Sequence, residues 1–155
     1  MGHRVPNHKS KCRNIHGHRY VIEVWVDDKL ISKPGASNEG MVIDFGDLKQ
    51  IMMNVIDKQY DHSFMIYDKD SLAETFVRIR DGEKMKINIV HFIPTAENIA
   101  QYFFLILRER LHKKKIFLSY VKIWETPTST ATYTFENYYD KQALQWNLIL
   151  NQSHN

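Results

Sequence analysis

One cysteine, Cys12, stands in 155 residues. A lone thiol excludes an internal disulfide framework and a four-cysteine zinc ribbon, which need paired or clustered sulfurs. Nowhere do about 18 apolar residues run uninterrupted, so no membrane-spanning helix and no membrane partner are expected. The opening Met1-Gly2-His3-Arg4-Val5-Pro6 lacks the charged-then-apolar build of a secretion signal. A free thiol with no export signal points to the reducing cytoplasm. A large charge excess is missing too. Twenty-one basic residues face 18 acidic ones, for a net charge of +3. That balance does not argue for nucleic acid, and only a basic isoelectric point stands on the other side. Histidine, by contrast, is plentiful: five of the eight (His3, His8, His16, His18 and His62) fall in the first 62 positions, more than a packed core needs.

The length suits one domain. With 43% hydrophobic and 25% charged residues, it can form a packed core. From His18 to Val26 apolar and polar residues alternate as in a strand. Ser32 to Asn38 reads as a loop. Leu48, Ile51, Met52, Val55 and Ile56 form the stripe of an amphipathic helix. The polar stretch from Tyr67 to Lys86 reads as a surface excursion with a turn at Asp81-Gly82, and Ile87 to Phe92 as a short extended segment. Thr95 is placed to cap a second helix, with Glu97 in its first turn and the basic run His112-Lys113-Lys114-Lys115 near its end. Phe117 to Glu125 and Thr130 to Glu136 read as a hairpin. The tail from Tyr138 to Leu150, carrying Leu144, Leu148 and Ile149, reads as a short helix. The order strand, helix, helix, strand, strand implies an α+β domain with an antiparallel sheet.

Chemistry concentrates in Cys12-Arg13-Asn14-Ile15-His16-Gly17-His18. Residues two apart on a strand project from one face, so His16 and His18 can converge on one ion. Neutral imidazole suits zinc, and Gly17 leaves the backbone open to close approach. His3, before a short loop returning to the pair, is the natural third ligand; the plain alternative is a surface histidine pair without metal. Cys12 has three possible roles. It is a fourth ligand closing a structural site, a free thiol acting as base beside cations such as Lys9, Lys11 or Arg13, or an inert cysteine. Asp61-His62 can form a carboxylate-steered imidazole for proton transfer, given a bend that lets neighbours meet. Glu125, at the end of an apolar strand, can grip the N–H edge of a guanine-like ring or simply be a solvated strand-end carboxylate.

Taken in order, His3-Arg4, Cys12 with His16-Gly17-His18, Gly40 to Lys49 with its Asp44-Phe45, Asp61-His62, Pro94-Thr95-Ala96-Glu97-Asn98 and Glu125-Thr126 resemble the 6-pyruvoyl-tetrahydropterin synthase family. The three-residue spacer between Cys12 and His16 resembles its 6-carboxy-tetrahydropterin synthase branch. The likeness spans about residues 2–136 of one domain, leaving 137–155 as a C-terminal extension. The resemblance implies the tunnelling fold (T-fold): an antiparallel sheet with two helices on one face, built into trimers that stack as a hexamer. It implies that His3, His16 and His18 hold Zn2+ and that Cys12 is the catalytic base. It further implies that Asp61 and His62 relay a proton, that Glu125, with Thr126 beside it, anchors the pterin, and that Thr95 and Glu97 lie near the ring. Asp44 and Phe45 match a motif read as structural. Family members carry a strand leading into the first histidine, and only Met1 and Gly2 precede His3 here. The front strand is therefore expected as a stub, with an unpaired sheet edge.

By that resemblance the chain is a zinc-dependent lyase of the cytoplasm. It converts 7,8-dihydroneopterin triphosphate to 6-carboxy-tetrahydropterin, losing acetaldehyde and triphosphate, for 7-deazaguanine (queuosine-type) biosynthesis. Lys9, Lys11 and Arg13 either attract the triphosphate or are solvated. Two alternatives stay open: a pyruvoyl-forming lyase on the same scaffold, and a non-catalytic module in which Cys12 joins three histidines around a structural zinc.

Overall fold

The computed structural model describes residues 1–142. Among the described residues seven strands form two sheets. Strands β1 (Gly2–His3), β2 (His16–Gly17), β4 (Phe64–Tyr67) and β5 (Ile87–Val90) make a four-stranded sheet in the order β2-β1-β4-β5. Strands β3 (Val21–Asp27), β6 (Phe117–Thr126) and β7 (Ser129–Thr134) make an antiparallel sheet in the order β3-β6-β7. The expected hairpin is present, with Pro127 and Thr128 alone between paired Thr126 and Ser129.

Helix α4 (Ala96–Lys113) supplies much of the core: Ile99, Ala100, Phe103, Phe104, Leu107 and Leu111 are all buried. They pack with Leu118, Val121 and Ile123 of β6. The Thr95 hydroxyl accepts from Asn98 N–H at 3.4 Å to cap this helix, and Arg110, His112 and Lys113 lie in its last turn, where cations suit the helix dipole. Helix α1 (Phe45–Met52) starts at Asp44, whose carboxylate accepts from Gly46 N–H. That cap gives Asp44 its structural role. Phe45 has none inside the chain, being 86% exposed. The helix continues through a π-helical turn, Met53–Asp57, into α2 (Lys58–Tyr60).

The stretch expected as a polar excursion contains a helix, α3 (Ala73–Glu83), which runs through Asp81 and Gly82 and ends on Lys84 at φ 52°. Its apolar strip is narrow. Ala73 is buried, and Phe76 stacks on Phe64 with ring centroids 4.6 Å apart; the charges along the helix at Glu74, Arg78, Arg80, Asp81 and Glu83 mask the period. This helix has a topological consequence. It is the crossover that lets β4 and β5 run parallel, since parallel neighbours need a connection of a dozen or more residues. The four-stranded sheet is therefore mixed, where only antiparallel pairing is expected from the sequence.

Strand β1 has two residues and is flanked on both sides: it runs antiparallel to β2 and parallel to β4, and the edges of its sheet are β2 and β5, so β1 itself is not the unpaired edge expected from the sequence. Just beyond it, Arg4 Nε lies 3.0 Å from Asp70 Oδ2 in an almost fully enclosed ion contact, which ties the loop after His3 to the start of α3. The tail is helical from 135 to 142; Leu144, Leu148 and Ile149 lie outside the described residues.

Leu107 has no solvent exposure. Leu107→Ala is expected to cost about 2–5 kcal/mol of stability, as buried leucine truncations do, measured by urea unfolding.

Candidate active site

The first site element is a cross-strand pair. Antiparallel β1 and β2 place His3 opposite His16 and Gly2 opposite Gly17, and side chains directly opposite are nearest neighbours across a ladder. His18 follows two residues after His16 on the same face. The three imidazoles converge: ring centroids are 4.5 Å apart for His3 and His16, 5.3 Å for His3 and His18, and 5.0 Å for His16 and His18. One nitrogen from each lies within 4.8 Å of the others. Gly17 serves this packing differently from the sequence reading. The close approach it permits is by the chain itself, because a Cβ there would sit 3.1 Å from Met1 O and 3.3 Å from Gly2 Cα.

Hydrogen bonds set the tautomers. Pro94 O can only accept, so His3 Nδ1–H donates to it at 2.7 Å. His16 Nδ1–H likewise donates to Asn14 O at 2.8 Å. In neutral imidazole the other nitrogen, Nε2, then carries the lone pair. His3 is 1% exposed. Its pKa is pushed below the ordinary histidine value, mainly by burial and further by His16 and His18, against the raising effects of Pro94 O and Glu125. His3 therefore stays neutral with a free lone pair near pH 7. A backbone carbonyl holding the remote N–H is the usual support for a metal-ligating histidine. Three nitrogen donors with a fourth position left over is the donor set of a catalytic zinc site, and the residues present fit that ion. Cys12 Sγ does not join the cluster: among the described residues it contains the three histidines alone. The closed four-ligand arrangement thus lacks its sulfur.

Cys12 sits half-buried on the 3-10 turn Lys11–Arg13. Its carbonyl accepts from Val5 N–H at 2.9 Å, which folds the loop back toward His3. It lines a pocket of about 230 Å³ with His3, Thr95, Glu97 and Glu125. The base candidate, the candidate anchoring carboxylate and one member of the histidine cluster, His3, therefore share one cavity. Glu125 Oε1 lies 3.4 Å from His3 Nε2 and 3.8 Å from His18 Nε2.

Three expected members, Thr126, Asp61 and His62, stand apart from this pocket. Thr126 Oγ1 accepts from Thr128 N–H within the β6–β7 turn at 3.4 Å and is absent from the pocket wall, where Ser129 and Thr130 stand. His62 adopts φ 50°, the bend that lets neighbouring side chains meet, and its Nδ1 lies 2.7 Å from Asp61 Oδ2. That hydrogen bond holds the Asp61 carboxyl below its usual range. The dyad is therefore formed, but the His62 side chain is 91% exposed. Asp61 lines a second cavity of about 310 Å³, beside His18, Tyr20, Met52 and Phe103.

Tyr20 was not singled out by the sequence reading. Its hydroxyl lies 3.1 Å from both His3 Nε2 and Glu125 Oε1. Burial, and then the nearby Glu125 charge, push its pKa far above the ordinary tyrosine value, so it remains a neutral donor. The signal was available: Tyr20 follows His18 by two on the alternating face.

A family model described as 6-pyruvoyl tetrahydropterin synthase matches residues 1–136. A 6-carboxy-5,6,7,8-tetrahydropterin synthase of Haemophilus influenzae is 39% identical over 134 residues, 86% of this chain and 91% of the relative. One of the same name from Aquifex aeolicus is 38% identical over 136 residues, covering 82% and 78%. Among solved structures, the uncharacterized protein WS1659 of Wolinella succinogenes matches with a TM-score of 0.70 and 27% identity over 86% of this chain and 92% of that one. The 6-pyruvoyl tetrahydropterin synthase of Caenorhabditis elegans matches with a TM-score of 0.57 and 31% identity, covering 86% of each. The α+β T-fold is shared with these neighbours.

Gly17→Ala forces β1 away from β2 and so moves His3 from its partners. Zinc affinity, measured by chelator competition, is expected to fall at least about tenfold, the scale on which loss of ligand orientation acts, while far-ultraviolet circular dichroism stays native.

Proposed function

The chain belongs to the 6-pyruvoyl tetrahydropterin synthase family, and we propose that within it this protein is a zinc-dependent 6-carboxy-tetrahydropterin synthase. The observation that carries this reading is a single cavity holding His3, Cys12 and Glu125, with His3 one of three imidazoles whose ligand nitrogens gather within 4.8 Å. The names of the relatives support the carboxy branch. The substrate proposed is 7,8-dihydroneopterin triphosphate, with acetaldehyde and triphosphate released and the product feeding 7-deazaguanine synthesis in the cytoplasm. Among the described residues no helix is long and apolar enough to cross a membrane.

His3, His16 and His18 would hold the zinc, which when bound supplies a Lewis acid and template for the substrate's side-chain hydroxyls. Cys12, outside the ligand set, takes the carbon-bound proton as thiolate; a ligated sulfur could not. Glu125 accepts from the N–H edge of the pterin through charge-assisted bonds, which fixes the ring and aims the side chain toward Cys12. Thr95, Glu97 and Ser129 shape the wall around it, with Thr126 one residue removed in the turn. Asp61 orients His62 through the Nδ1 contact and keeps its other nitrogen free to move a proton. Because that imidazole is exposed in the single chain, we assign its work to a homo-oligomer, proposed as two stacked trimers, in which its face is covered.

Incubation with 7,8-dihydroneopterin triphosphate, with the product identified by mass and zinc measured on the same sample, tests the reading. Expected are 6-carboxy-tetrahydropterin and one acetaldehyde per turnover. A product retaining the whole side chain would place the protein with the pyruvoyl-forming enzymes, and zinc-free turnover would overturn the reading. Cys12→Ala is expected to lower kcat by about 10²–10⁴-fold, the usual contribution of a positioned base, with zinc content unchanged. Glu125→Ala is expected to raise KM roughly tenfold or more, as loss of charge-assisted hydrogen bonds does, and to weaken zinc binding far less.

A further inference from the structure

The Tyr20 hydroxyl stands between two acceptors, 3.1 Å from His3 Nε2 and 3.1 Å from Glu125 Oε1. His3 gives its one N–H to Pro94 O, leaving a lone pair on Nε2, and a carboxylate accepts only. A phenol has one proton and so satisfies one of them at a time. The crowding is tighter still, since Glu125 Oε1 is 3.4 Å from His3 Nε2 and 3.8 Å from His18 Nε2. The His3 lone pair and the Glu125 carboxylate thus meet with the one Tyr20 proton between them.

We propose that Tyr20 is a positioning residue that couples the histidine cluster to Glu125. This rests on the pterin-anchoring role proposed for Glu125 and deepens it. While the Nε2 lone pair of His3 is unengaged, the Tyr20 proton is divided between imidazole and carboxylate. Once a cation takes that lone pair, Glu125 is the only acceptor left and the proton belongs to it. The bond to a charged acceptor is the stronger of the two. It clamps one oxygen of a side chain that is 23% exposed and leaves Oε2 free for the pterin. A carboxylate ordered in advance costs less to engage. Filling the histidine cluster therefore tightens pterin binding, and by linkage pterin tightens the metal by the same factor. A tyrosine acting only as packing would produce no such coupling.

Titration calorimetry with 6-methylpterin, whose side chain offers a metal no oxygen, compares the wild type and Tyr20→Phe, each stripped of metal and each loaded with zinc. In the wild type zinc is expected to tighten the pterin at least about fivefold, the lower end of ordinary coupling between sites. In Tyr20→Phe, where the ring remains and the proton is gone, the two affinities are expected to agree within about twofold. Chelator competition is expected to find zinc affinity of the pterin-free variant within about threefold of wild type, a change well below that of a lost ligand orienter. Equal tightening in Tyr20→Phe overturns the coupling. So does a wild type that binds the pterin equally with and without zinc, an outcome that needs no variant to fold. A wild type that binds no pterin in either state overturns the anchoring role of Glu125 itself, and the coupling with it.

Discussion

Two glycines facing each other at backbone contact decide where the three imidazoles meet. Gly2 and Gly17 are register partners, and neither has room for a methyl group. A Cβ on Gly2 would sit 2.6 Å from a ring carbon of Phe64, and one on Gly17 would press on backbone atoms of Met1 and Gly2. Because the strands close this far, the next pair in register, His3 and His16, stand with rings 4.5 Å apart. A two-residue strand is too short to hold a ligand on its own ladder. Here it is held from three directions: by β2, by β4, and by the Pro94 carbonyl at the entrance to α4.

That third support joins core to site. Helix α4 is fixed by its buried face on β6, and β6 carries Glu125 one residue before its end. The helix entrance grips His3 and the strand end carries the carboxylate, so packing at Phe103 and Leu107 is transmitted to both.

Much of this was legible in the sequence, for identifiable reasons. The stripe from Leu48 to Ile56 and the run after Thr95 carry strong helical periods, and Pro127 punctuates the hairpin. The histidine cluster was legible because spacing and strand alternation together constrain where side chains point. Helix α3 was not, since its apolar contacts reduce to residues such as Ala73 and Phe76 among charges, and with it went the parallel pairing of β4 and β5. The carbonyls of Pro94 and Asn14, which select the histidine tautomers, have no side-chain signature. Tyr20 was visible on the right face, but its importance depends on Glu125, 105 positions away.

The π-helical turn at Met53–Asp57 sets a rule about chain length. Such a turn admits one residue more than an α-helix would, and each residue advances an α-helix by about 100°. Met52 and Met53 at its start and Tyr60 and Asp61 beyond it all line the cavity beside His18. Removing one residue from this turn would restore ordinary winding and leave Tyr60 and Asp61 facing that wall, whereas removing one from the regular helix Phe45–Met52 would swing them about a quarter-turn off it. The turn is thus the place in this helical stretch where the chain can lose one residue and keep its phase, while the helix before it cannot.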